Sequence, residues 1–389
     1  MSRLDELIAE LCPNGVEHRK LREVATISRG GNFQKKDYVE IGFPCIHYGQ
    51  IYTLYDLFAY KTANFISEDV AVRQKKAVTN DIVMAVTSEN VEDVCKCVAW
   101  LGSEEIAVSG HTAIIHHSLN PKYLVYFLYS SRFFEQKIKL AHGTKVIEVK
   151  PDSLGDVVIP VPPLEVQCEI ARILDAFTEL TAELTAELTA ELTARQKQYE
   201  YYRDKLLSFG GGYSLMMPLS KVTSVFRGDY ITKKDSIPGR IPVILGGQEP
   251  AYYINKCNHS GEIVVIARSG VSAGFVSYWN EPVYITDGFG YEAKQDIIAP
   301  KYLYYALKRK EPELNEMKRG AGVPHVSGEM LGKVMLPIPP LSEQNKLITI
   351  LDKFDAICTN LSVGLPAEIV ARRKQYEYYR DKLLNFKEV

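Results

Sequence analysis

A chain of 389 residues is long enough for two globular domains with extended elements between them. Its 46 Lys and Arg against 48 Asp and Glu, a net charge of −2, argue against a strongly basic polyanion binder, although such an average can hide a locally basic cleft. The N-terminus is too acidic for a signal peptide and no stretch reaches the roughly 18 apolar residues of a membrane span, while seven scattered cysteines without paired Cys-x-x-Cys motifs disfavour zinc, so a soluble cytoplasmic protein is expected.

In chain order, "LREVATISRGG" (21–31) opens a first globular segment. Within it "DIVMAVTS" (81–88) and "CKCVAWLG" (95–102) read as strands, and "NPKYLVYFLYSSRFFEQKI" as a helix. Next comes "VVIPVPPLEVQCEIARILDAF" (157–177), where prolines precede a helical start. A single helix is expected from Leu164 to Leu207, on the order of 65 Å long. It carries the tract "TELTAELTAELTAELTA" (178–194), whose whole TAEL tetrads at 181–192 place Leu180, Leu184, Leu188 and Leu192 at i, i+4. Each tetrad adds about 6 Å of rise, so the tract reads as a ruler between whatever sits at its ends; a low-complexity solvated helix is the plainer alternative. The helix ends in "KQYEYYRDKLL" from Lys197.

The same plan then repeats. "LSKVTSVFRGD" (219–229) opens a second segment, "EIVVIARSG" (262–270) and "GFVSYWN" (274–280) read as strands, and "APKYLYYALKRKEPELNEM" reads as a helix. "VMLPIPPLSEQNKLITILDKF" (334–354) matches the first hinge at a shift of 177 residues, the same that separates Lys197 from Lys374, where "KQYEYYRDKLL" recurs. "KLAHGTKV" sits where "EMKRGAGV" does at that shift. A second long helix is expected from Leu341 to about Phe386, kinked or broken near Gly364 by Pro366. Long helices need a partner for their apolar stripe, and the two can pack on each other as an antiparallel pair about a pseudo-two-fold axis.

The expected fold is thus α+β, with two mixed α/β heads separated by two long antiparallel helices forming a coiled-coil spacer. The segments are 1–156 for the first head, 157–210 for its hinge and helix, 211–333 for the second head and 334–389 for its hinge and helix.

Catalytic signatures are missing. The chain has no Walker A motif, no G-x-S-x-G elbow, no His-Glu-x-x-His and no Rossmann fingerprint. Also missing is the Asn-Pro-Pro-Tyr or Asp-Pro-Pro-Tyr motif that grips an adenine amino group. Asp152 lacks a partnering Glu-x-Lys and reads as loop or cap chemistry, and the pair His116–His117 reads as strand or surface rather than metal ligands. Neither catalytic nor metal residues are assigned.

What the heads offer is donor-rich loops. The first supplies Arg29, Asn32, Gln34, Lys35, Lys36, Tyr48, Gln50, Ser88, Asn90, His111, Thr144 and Lys145. The second supplies Arg227, Tyr230, Lys233, Lys234, Gln248, Arg268, Ser269, Lys318, Arg319 and His325. Such side chains read base edges and hold phosphates. Polar loops that merely connect strands are the plain alternative for any one residue, but Arg29 and Arg227, and Gln50 and Gln248, recur at one common shift.

With the duplicated plan, the Pro-rich hinges (Pro160–Gln167 and Pro337–Gln344), the Tyr-rich helix ends and the TAEL tetrads, the whole chain resembles the DNA-specificity subunit of type I restriction–modification systems. The first hinge departs in "LEVQCEI" and the second helix lacks tetrads. The resemblance implies two target-recognition domains reading the halves of a split, asymmetric double-stranded DNA site. It implies helices that act as spacer and dock two adenine-N6 methyltransferase subunits, with nuclease/translocase subunits joining them. S-adenosylmethionine then belongs to the methyltransferase partner, and this chain binds no cofactor and is no enzyme. Tyr199, Tyr202 and Arg203, with Tyr376, Tyr379 and Arg380, are the docking residues expected from the repeated ends. A duplicated coiled-coil adaptor whose heads bind proteins is the competing reading, and a stand-alone methyltransferase or nuclease a third that the missing motifs disfavour.

Overall fold

A computed structural model describes residues 2–208, 215–245, 249–320, 323–359 and 365–389. By its contacts the chain forms two compact units, Met1–Ala186 with Val370–Val389, and Glu187–Ile369. The units cut across the four expected segments, because the C-terminal helix belongs with the first head and the second half of the long helix with the second.

In the first unit, strands Ala25–Arg29, Thr112–His117, Ile82–Ala85, Cys97–Trp100 and Phe58–Ala59 form one five-stranded sheet in that order. A second sheet runs Tyr38–Val39, Asn64–Ile66, Phe43–Ile46, Ile106–Val108, Lys76–Ala77. Ile82 and Met84 face one apolar cluster with the helical layer, and Val83 and Ala85 face another together with Val98, Trp100 and Ile114. Burial on both faces is why 82–86 is an unbroken apolar run rather than an alternating one.

The second unit repeats this frame with fewer strands. Thr223–Arg227, Gly288–Ala293, Glu262–Ala267 and Val276–Asn280 make a four-stranded sheet, and Tyr252–Ile254, Pro238–Ile244 and Tyr284–Ile285 a three-stranded one. Val264 and Ile266 face the helical cluster while Ile263 and Val265 face the other side.

Each expected head helix is in fact two. Pro121–Leu128 ends before Ser130, whose side chain caps Ser131–Leu140 by accepting from the Phe133 amide. Pro300–Arg309 gives way to Glu311–Glu316, with Pro312 in its first turn. A short N-terminal helix, Arg3–Leu11, has a reciprocal cap between Ser2 and Asp5.

The long helix is continuous over Leu164–Leu206, 43 residues. Its second-copy counterpart is two helices, Leu341–Thr359 and Leu365–Leu383, with Pro366 in the first turn of the latter. The expected break near Gly364 lies outside the described residues. Among the described residues no helix is long and apolar enough to cross a membrane.

The repeated hinge letters fasten each helix to its head. The buried Gln167 accepts from the Asn120 amide (2.9 Å) and donates to the Pro162 carbonyl (2.7 Å). In the second unit, Gln344 accepts from the Ala299 amide (2.8 Å) and donates to the Ile297 (3.0 Å) and Pro339 (2.8 Å) carbonyls. The hydroxyls of Tyr123 and Tyr302 donate to the carbonyls of Pro160 (3.0 Å) and Pro337 (2.9 Å). About three turns into each helix, Asp175 takes Lys122 (2.5 Å) and Tyr126 (2.8 Å), as Asp352 takes Lys301 (2.6 Å) and Tyr305 (2.5 Å). A buried polar group must find such partners or cost free energy, which ties the hinge, the "PKYL" helix and the long helix into one rigid joint.

Candidate nucleic-acid interface

In the first head a cleft of about 770 Å³ is lined by Arg29, Asn32, Gln34, Lys35, Tyr48 and His111, all expected, together with His47, Arg73 and Ser109. They arrive from separate loops because glycines at two close approaches let the backbones close. A Cβ on Gly30 would lie 2.1 Å from the Ser109 carbonyl oxygen, and one on Gly110 2.7 Å from that of Gly31. Ser109 Oγ accepts from the Tyr48 amide (2.8 Å) and so sets the 47–48 turn beside the 109–111 turn. Rings then follow one another along the wall: Phe33 to His47 at 6.2 Å, His47 to Tyr48 at 4.6 Å, Tyr48 to His111 at 5.0 Å.

Burial holds the His47 pKa below its ordinary value, helped by the neighbouring Lys35 and His111. Neutral His47 serves as an acceptor, its Nδ1 capping the Tyr48–Thr53 helix at the Gly49 amide (3.3 Å). Gln50 is not presented to the cleft. Its Oε1 accepts from the His47 amide (2.8 Å) and its Nε2 donates to Asn64 Oδ1 (2.5 Å), so it supports the turn.

Beside the cleft stands the hairpin 142–148. Its strand Ile147–Glu148 pairs with Thr87–Ser88, and His142 and Glu148 exchange backbone bonds. Gly143 has φ +112°, and a Cβ there would meet the Val146 carbonyl oxygen at 2.0 Å, so only glycine makes this tip. Thr144 and Lys145 are exposed on it. Arg29 joins the two parts: its Nε donates to the Gly110 carbonyl (2.9 Å) and its Nη2 sits 3.3 Å from Glu148 Oε1. Ser88 is half-buried in the pairing strand. Asn90 folds back on Asp93, accepting from its amide and donating to its carboxylate, so it builds a turn. Lys36 is exposed on the turn Lys35–Asp37 but is not among the cleft's lining residues.

The second head gathers its residues at the corresponding sheet end. Arg227 pairs with Phe289, as Arg29 pairs with Ala113. Arg268 and Ser269 follow strand Glu262–Ala267 and meet Asp287, which lies 3.7 Å from Arg268 Nη1 and accepts from Ser269 Oγ. His325 bridges both Ser269 and Arg319, and Gly320 repeats the positive φ (+106°) of Gly143. Lys318 is spent on the Val271 carbonyl (2.8 Å). Tyr230, Lys233 and Lys234 are exposed on a loop tied down by the Ile231 amide to Thr286 Oγ1 (3.2 Å). Gln248 lies outside the described residues.

Sequence reasoning missed Arg73, Ser109, Glu148 and Asp287. Arg73 could have been found in the basic run "VRQKK"; the carboxylates carry no signal until the fold sets them against arginines. His116 and His117 end a strand, with His116 Nδ1 2.7 Å from Asp81 Oδ1, and no His/Cys/Asp/Glu cluster fit for a metal exists among the described residues.

The Tyr-rich ends divide by face. Tyr199, Arg203 and Arg380 are buried, and half-buried Tyr376 shares a hydrogen bond with Thr178 Oγ1 (2.9 Å). These four pack within their own units. Outward stand Tyr201 (61% exposed) with Tyr202 (39%), and Tyr378 (61%) with Tyr379 (41%). Both pairs are edge-on, at 5.4 and 5.3 Å and the same 74°.

A family model described as the type I restriction modification DNA specificity domain matches residues 13–194 and again 216–371. A putative type I restriction enzyme specificity subunit of Haemophilus influenzae is 35% identical over 308 residues, covering 74% of this chain and 76% of that one. A type I restriction enzyme specificity subunit of Escherichia coli is 32% identical over 250 residues, 58% of this chain and 61% of its own. A solved structure from work on the assembly and conformational transition of a type I restriction–modification system superposes with TM-score 0.68 at 17% identity, covering 96% of this chain and 98% of that one. The specificity subunit of Thermoanaerobacter tengcongensis gives TM-score 0.53 at 17% identity, covering 96% and 97%.

Proposed function

This chain belongs to the type I restriction–modification DNA specificity family, and from that premise we propose that its two heads each read one half of a split, asymmetric DNA target. The observation that carries the reading is a shared frame with unlike contents. Both heads keep the strand pairing, a positive-φ glycine (Gly143 and Gly320) and the hinge joint, yet beyond Arg29/Arg227, Gln50/Gln248 and the Lys-Lys-Asp turns at 35–37 and 233–235 the polar side chains named for the two heads do not match. A duplicated frame supplies two equivalent seats on the duplex; divergent clusters supply two different half-sites.

Head 1 suits a major groove well. Lys35, Lys36, Arg73 and Lys145 can hold phosphates while Arg29, Asn32 and Gln34 meet base edges. Two heads on one face of B-DNA enter the groove about one turn apart, leaving an unread gap between the halves. The paired helices act as a coiled-coil spacer that sets this gap.

The outward tyrosine pairs, Tyr201/Tyr202 and Tyr378/Tyr379, form two like seats for two copies of an adenine-N6 methyltransferase subunit. Nuclease/translocase subunits join through those partners. The chain itself does no covalent chemistry, and S-adenosylmethionine and base flipping belong to the methyltransferase.

The test is a methylome. The chain is co-expressed with its methyltransferase in a methylation-free bacterial host and modified adenines are mapped by single-molecule sequencing. Two unlike halves around a fixed gap support the reading. A soluble complex that marks no such motif, and binds duplex DNA without a steep salt dependence, leaves the protein-binding adaptor in its place.

A further inference from the structure

Resting on that reading of the heads, we propose that Arg29 is the guanine-reading residue of the first head and Glu148 its positioning residue. Arg29 closes the strand Ala25–Arg29, with its backbone paired to Ala113 and its side chain exposed at the cleft. Its guanidinium is held from two directions. Nε donates to the Gly110 carbonyl at 2.9 Å, and Nη2 meets Glu148 Oε1 at 3.3 Å. Both supports are themselves fixed. Gly110 lies in the turn packed on Gly31, and the backbone of Glu148 is bonded to His142 and paired with Thr87.

Nη1 has no partner among the described residues, nor has the second N–H of Nη2. An arginine with a fixed plane and an unspent fork suits the O6 and N7 of guanine, which a bidentate donor must meet in one orientation. Phosphate needs no such plane. Lys35, Lys36 and Arg73, which have no side-chain hydrogen bond or ion pair among the described residues, suit that simpler task. Glu148 points the same way: a carboxylate at a DNA surface repels phosphates, and here its geometric effect is to aim a base reader.

The second head supplies a contrast. Arg227 occupies the matching strand position, opposite Phe289, but its side chain has no hydrogen bond or ion pair among the described residues. It is left as a loose cation, fit to strengthen binding rather than to select a base.

The experiment maps methylomes of the full chain with its methyltransferase for the parent, Arg29→Ala, Arg29→Lys, Glu148→Gln and Arg227→Ala. One half of the parent motif should contain a G·C pair. Arg29→Ala should relax that single position by about ten- to a hundred-fold and leave the other half untouched. Arg29→Lys, which keeps the charge but not the fork, should relax the same position. Glu148→Gln should relax it partly, with the salt slope of DNA binding unchanged. Arg227→Ala should lower methylation at all sites alike. The proposal is overturned if Arg29→Ala weakens all sites uniformly, or if the position it relaxes is A·T. A parent that marks no split motif at all would instead sink the DNA-reading function itself, so the two failures are distinct.

Discussion

Replacing Gln344 by Met keeps the side chain's length and removes its polarity. Gln344 is fully buried and serves three backbone groups: the Ala299 amide at 2.8 Å, the Ile297 carbonyl at 3.0 Å and the Pro339 carbonyl at 2.8 Å. Each buried group left without its partner costs about 1–3 kcal/mol. With the Pro339 carbonyl on a buried residue and the Ala299 amide and Ile297 carbonyl on half-buried ones, the three together should destabilise the second unit by about 3 kcal/mol. Gln167→Met strips only two such groups in the first unit and should cost about 2 kcal/mol. The two tryptophans make the assay unit-specific, since Trp100 sits in the first unit and Trp279 in the second. In a Trp100→Phe background, urea unfolding followed by Trp279 fluorescence should shift its midpoint by about 1 M for Gln344→Met, taking m near 3 kcal/mol/M. In a Trp279→Phe background the same substitution should leave the Trp100 transition in place. A cost below about 1 kcal/mol, or an equal shift of both probes, would refute the idea that this glutamine locks its own head to its own helix.

The first unit should also lose stability in acid through His117, whose burial pushes its pKa down to about 4. Because the unfolded imidazole takes a proton near 6.5, the unfolded state binds more protons below that pH, and stability falls as pH drops from about 6.5 towards 4. The full effect is about 3 kcal/mol; His117→Asn, which retains an acceptor for the Leu119 amide, should flatten this slope in urea titrations at pH 7 and pH 5. At the helix ends, Tyr201→Ala and Tyr378→Ala should each release one methyltransferase copy, read as a drop in complex mass by native mass spectrometry. The buried-face change Tyr199→Phe should leave that stoichiometry alone.

The frame was open to sequence reading because duplication repeats what both heads need. Gln167 and Gln344, Asp175 and Asp352, and the Lys-Tyr pairs of the two "PKYL" helices recur since each joint demands the same buried partners. The division of the Tyr-rich ends was legible in principle. A period of 3.6 puts Tyr199 and Arg203 on one face, Tyr201 on the opposite one and Tyr202 at the edge of the first, but only the fold reveals which face meets the head. The cleft was half legible. Its donors stood out as residue types, whereas their meeting depends on close backbone approach at Gly30 and Gly110, and on residues as distant as Arg29 and Glu148. Gln50 and Asn90 show why: a polar side chain that builds a turn looks, in sequence, like one that waits for a ligand.

The most direct test of the account deletes one tetrad, Thr181–Leu184, from the long helix and repeats the methylome. The helix is continuous across this stretch, so the deletion shortens it by about 6 Å. Two heads reading one duplex across a helical spacer should then mark the same two half-sites with a shorter gap between them. Unchanged spacing, or altered bases within the halves, would contradict the assignment of the heads as readers and the helix as their ruler.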